Sequence, residues 1–61
     1  MTREELKTWR LSKGLSQAKL ARLLNVTVMA VSRWERGVRS IPALLPMALD
    51  GLERQLERKG Q

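Results

Sequence analysis

Apolar residues recur along this chain at the three- and four-residue spacing of helices, with no run of strand-like alternation. Leu6 and Trp9 open a stripe that continues at i, i+3, i+4 and i+7 through Arg10 and Lys13. Thr2 and Glu5 form a Thr-x-x-Glu capping box, which predicts a first helix from about Arg3 to Lys13, with Gly14 closing it. Leu20, Leu23 and Leu24 mark a second helix, Gln17 to Leu24, with Ser16 as its N-cap. Asn25 tolerates the left-handed conformation that a helix end needs. Thr27 caps a third helix, Val28 to Arg36, whose inward face is Val31 and Trp34. Val26 is expected to plug the angle between these two helices, and Ala21 is small where they cross. Pro46 suits a first helical turn, so a fourth helix is expected from Leu45 to about Arg58. Its stripe is Leu45, Ala48, Leu49, Leu52 and Leu56. The expectation is an all-α chain, a single domain over residues 1–61, with four helices around one core.

The outward face of the third helix carries Val28, Met29, Ser32, Arg33 and Arg36. A helix, a tight turn and a steeply crossing second helix make a helix-turn-helix, which lays its second helix in a DNA major groove. The run from Leu15 to Gly37, LSQAKLARLLNVTVMAVSRWERG, resembles the phage repressor and Cro-type helix-turn-helix family. The likeness is carried by Gln17, Ala21, Leu24, Val26, Val31 and the Trp34-Glu35-x-Gly37 ending, and it continues through Leu44-Leu45-Pro46. Asn25 stands where that family usually has glycine.

The resemblance implies a lambda-repressor-like fold and sequence-specific binding of double-stranded DNA, in the manner of a bacterial or phage transcription regulator of the repressor type. It implies base contacts from Val28, Met29, Ser32 and Arg33. The two apolar side chains suit thymine methyls, and the Arg33 fork matches guanine. Backbone contacts are expected from Ser16, Gln17, Lys19, Arg22, Thr27, Arg36, Arg39 and Ser40. The partner is expected to be a palindromic operator, since such regulators often bind as two-fold dimers. The helix-1 stripe points Arg10 toward the core, and Glu35 beside Trp34 poses the mirror problem. A charge-assisted pair would resolve both, and the resembled family commonly pairs these positions.

Composition narrows the chemistry. The 61 residues include no cysteine and no histidine, so a disulfide and a Cys or His metal site are excluded. Hydroxyls and lysines remain without an imidazole to activate them, so the expectation is no catalytic residue, no cofactor and no enzyme. The net charge is +6, and its placement is uneven. Residues 1–45 hold nine basic and three acidic residues, 9 − 3 = +6, while residues 46–61 hold three of each, 3 − 3 = 0. The whole excess lies with the helix-turn-helix, as a polyanion-binding face requires. Trp9 and Trp34 fall on inward stripes and are expected in the core rather than stacked on bases. No stretch approaches membrane-spanning length and no targeting signal opens the chain, so the expected location is the cytoplasm, at the nucleoid of a bacterial cell. Leu52 and Leu56 have two readings: packing back onto helix 1 near Leu6 and Trp9, or meeting a second copy in a homodimer. The competing function is a protein-interaction module, or an antitoxin- or excisionase-like accessory protein, with Val28 and Met29 as its contact patch.

Overall fold

A computed structural model describes residues 1–59, so the last two residues of the expected 1–61 domain lie outside the described part. The helices are α1 (Arg3–Ser12), α2 (Gln17–Leu24), α3 (Val28–Arg36) and α4 (Leu45–Lys59). No strand occurs among the described residues, and the architecture is all-α.

Each of the first three helices starts on a side chain that accepts a free backbone N–H. Thr2 Oγ1 accepts from the Glu5 N–H at 3.1 Å, and Glu5 Oε1 accepts the Thr2 N–H at 2.7 Å, which completes the capping box. Ser16 accepts from Lys19 at 3.0 Å and Thr27 from Ala30 at 3.2 Å. The same three helices also end alike. Gly14 (φ 69°), Asn25 (φ 60°) and Gly37 (φ 75°) are left-handed. The residue after each sends its N–H back to an earlier carbonyl: Leu15 to Arg10 at 3.1 Å, Val26 to Ala21 at 2.9 Å, Val38 to Arg33 at 3.0 Å. Helix α1 stops one residue before the expected Lys13. The Lys13 N–H is shared between the carbonyls of Trp9 and Arg10, each at 3.2 Å, which tightens the chain out of helical geometry.

The core draws one fully buried side chain from each helix: Leu6, Leu20, Val31 and Leu49. Leu15, Ala21, Trp34, Leu45 and Leu52 surround them, and Trp9, Leu23, Leu24, Ala30, Ile41 and Leu56 pack against the outside of this cluster. At the α2–α3 junction Leu20, Ala21 and Val31 are the buried residues, whereas Val26 is 36% exposed. Val26 is therefore not the plug expected from the sequence. The helix-end closure that takes its N–H follows the left-handed Asn25, and the space inside the angle is already filled.

Helix α4 is tied to α1 by Lys13. Its Nζ lies 3.1 Å from Glu53 Oε1 and 5.8 Å from the centre of the Trp9 ring. The hydrogen bond from Lys13 holds the Glu53 carboxyl below its ordinary pKa. Leu52 is 7% exposed and belongs to the core. Of the two readings of Leu52 and Leu56, packing within the chain holds for both: Leu52 is part of the core and Leu56 is partly covered against it.

Candidate nucleic-acid interface

The N-cap on Thr27 and the buried pair Val31 and Trp34 fix the roll of α3 about its axis. With that face turned inward, Val28 (45% exposed) and Met29 (55%) stand out at its start. Ser32 and Arg33 follow one turn on, partly covered, and Arg36 is exposed in the last turn. Lys19 and Arg22 are exposed on α2, and Arg39 and Ser40 are exposed on the loop leaving α3. The Arg39 N–H is drawn back to the Arg33 carbonyl at 3.3 Å, so this loop is folded against the end of α3.

Glu35 is the one acidic residue between Leu6 and Leu49. Its carboxylate faces inward, onto Arg10. Arg10 Nε donates to Oε2 at 2.6 Å and Nη2 to Oε1 at 3.0 Å, a two-point pairing, while Nη1 donates to the Leu15 carbonyl at 2.9 Å. The two side chains are 9% and 4% exposed. Burial pushes the Glu35 carboxyl pKa up, but the hydrogen bonds from Arg10 and Gln17 and the Arg10 charge outweigh it and hold it below its ordinary value. The hydrogen bond to Glu35 raises the Arg10 pKa against the effect of burial. The only carboxylate of this stretch is thus neutralised inside the molecule, and the charges left facing water there are cations.

The remaining sequence-expected contacts are placed as follows. Gln17 opens α2, but its amide is turned inward, with Nε2 donating to Glu35 Oε1 at 3.2 Å. Its second amide hydrogen and its backbone N–H remain for an outside acceptor. Ser16 and Thr27 accept helix N–H groups through their oxygens, and each hydroxyl keeps its own hydrogen to donate. Arg10, Glu35 and Gln17 form one connected cluster. The sequence gives no signal for a further contact: Arg3 Nη1 reaches the Arg36 carbonyl at 3.2 Å, across 33 positions of chain.

Among the described residues no group of His, Cys, Asp and Glu is arranged to hold a metal ion. None of their helices is long and apolar enough to cross a membrane. A family model described as helix-turn-helix matches residues 6–45, which takes in α1 from Leu6, all of α2 and α3, the loop and the first residue of α4. Comparison with curated proteins and with solved structures gives no significant match.

Proposed function

This chain belongs to the helix-turn-helix family, Cro-type, a family of DNA-binding regulators that are typically not enzymes, and from that premise we propose that it binds specific sequences of double-stranded DNA with α3 in the major groove. Val28 and Met29 meet thymine methyls, Arg33 takes a guanine edge through its fork, and Ser32 serves either base edge. Ser16, Gln17, Lys19, Arg22, Thr27, Arg36, Arg39 and Ser40 hold the sugar-phosphate backbone on both sides of that groove. Bound over a promoter, the domain excludes other proteins from the site, which makes it a repressor-type regulator, and the cytoplasm is its place of action.

The observation that carries this proposal is electrostatic. Eight basic residues lie between Leu6 and Leu49 against one carboxylate, and that carboxylate is buried against Arg10. The charges that Lys19, Arg22, Arg33, Arg36 and Arg39 bring to the face around α3 are therefore not opposed by a carboxylate of this stretch, as a phosphate-lined partner requires.

Two copies on a palindrome complete the proposal. Leu44 and Met47, each 71% exposed, stand at the start of α4. Next to them a shallow groove is lined by Leu23, Leu24, Ala48, Gly51, Leu52 and Gln55. An exposed apolar patch of this kind suits a self-complementary contact between two-fold related copies.

Selection of bound duplexes from a random DNA pool tests the proposal. The expected result is a palindromic consensus with half-sites about one helical turn apart. A pool that returns unenriched, with duplex retained no better than a neutral polymer at low salt, removes the proposal.

A further inference from the structure

We infer that Arg3, carried on α1, joins Arg39 and Ser40 in a phosphate clamp at the C-terminal edge of α3, so that the DNA footprint extends onto the first helix. The inference rests on the DNA-binding proposal above and adds to it a residue that lies outside the helix-turn-helix.

The Arg3 side chain crosses directly over Gly37. A Cβ at Gly37 would stand 2.5 Å from Arg3 Nη1 and 3.2 Å from its Cδ, so the absent side chain is what lets the arginine lie there. Two contacts fix the guanidinium plane: Nη1 donates to the Arg36 carbonyl at 3.2 Å, and Nε donates to Glu4 Oε2 at 2.9 Å. A guanidinium carries five N–H groups, so three remain for an outside acceptor. Arg3 lines a shallow groove together with Trp34, Gly37, Val38, Arg39 and Ser40. Two guanidinium-bearing residues and a hydroxyl thus share one groove, where a phosphate can accept N–H groups from both arginines.

A second consideration concerns the helix end itself. The C-terminus of a helix presents unpaired carbonyls and the negative pole of its dipole, which repel a phosphate. Arg3 covers one of these carbonyls, that of Arg36, with a guanidinium that also pairs with Glu4. A DNA strand running past the end of α3 then meets guanidinium N–H groups at the Arg36 carbonyl rather than a bare oxygen. The ligand is a backbone phosphodiester, held without regard to base sequence.

The test uses a short random-sequence duplex and the wild-type chain beside Arg3→Ala, Arg3→Lys and, as a control on α4, Arg54→Ala. Affinity is followed against salt concentration, and each variant is melted in parallel. Arg3→Ala is expected to flatten the log–log salt dependence by about one unit. Arg3→Lys keeps the slope, because the charge stays, and binds more weakly than wild type. Arg54→Ala leaves both unchanged. In the wild-type chain, modification of arginines by phenylglyoxal should be blocked at Arg3 by the duplex, which tests the contact without any substitution. If Arg3→Ala lowers only the melting temperature and keeps the wild-type slope, or if Arg3 stays reactive on DNA, Arg3 is a helix cap and the clamp is wrong while DNA binding stands. A wild-type chain that ignores the duplex at low salt overturns both.

Discussion

Arg33 and Arg36 sit on one face of α3, yet they differ in cover. Arg33 is partly enclosed by its neighbours and Arg36 is open to solvent in the last turn, where a cation also suits the helix dipole. Arg33→Ala is expected to weaken the best site by about 1–3 kcal/mol and relax preference at one base pair. Arg36→Ala should weaken all sequences alike and lower the salt slope. Repeating the pool selection with each variant checks the assignment, which fails if Arg36→Ala is the change that alters the consensus. The Arg10–Glu35 pair makes a second prediction at this scale. Replacing one partner leaves a buried charge unmatched, on the order of 3–5 kcal/mol, whereas a double apolar replacement is far milder. Denaturant melts of the four corners of that cycle measure the coupling. The pair also links stability to pH. The folded carboxyl titrates below its ordinary value of 4.5, so its contribution is complete above that value and disappears as pH falls through the depressed one. Glu35→Gln should therefore flatten the acid limb of the stability profile. That both charges need a partner is readable in the sequence, since each falls near an inward stripe. That Gln17 joins them is not, because an amide at a helix start gives no sign of which way it turns.

The helix starts and ends were legible because their causes are local. Thr2, Ser16 and Thr27 each bind an N–H three residues on, and Gly14, Asn25 and Gly37 supply the left-handed turn within two residues of a helix end. What was not legible depends on contacts between distant segments. The 36% exposure of Val26 follows from how α2 and α3 fill their shared angle, and the path of Arg3 over Gly37 follows from where α1 ends up relative to α3. The two glycines separate the local effect from the distant one. At Gly14 an added Cβ meets nothing within 4 Å, so Gly14→Ala carries only the left-handed backbone penalty of roughly 1–2 kcal/mol. Gly37→Ala carries the same penalty and also evicts Arg3. Urea melts should therefore rank Gly37→Ala as the more destabilised, and the difference between them should shrink in an Arg3→Ala background.

For the whole molecule, the uneven charge pointed to a polyanion from composition alone, and burial of Glu35 sharpens it by removing from the surface the one acidic residue between Leu6 and Leu49. The tail was harder to read. Leucines at helical spacing say which face of α4 is covered but not whether the covering surface belongs to the same chain. Leu52 answers for itself, at 7% exposed. Leu52→Ala is expected to cost about 2–5 kcal/mol in stability whether or not the protein self-associates. Met47→Asp, by contrast, should leave the melt unchanged and abolish cooperativity between the two half-sites. Sedimentation with and without a palindromic duplex checks this, and a Met47→Asp chain that fills both half-sites as cooperatively as wild type returns α4 to a purely intramolecular role.

The corners at Gly14 and Gly37 have a consequence that concerns handedness. Both residues hold backbone angles that belong by preference to mirror-image amino acids. A chain assembled by chemical ligation can carry D-alanine at either corner, with its methyl in place of the other Cα hydrogen and away from the position Arg3 occupies. The substituted residue then has fewer unfolded conformations and no strain in the folded one. Each replacement should stabilise the fold by roughly 0.4–1 kcal/mol while leaving Arg3 in place. The same position would thus reject one enantiomer of alanine and welcome the other, a stereochemical signature of a helix end that no substitution among the natural amino acids can reveal.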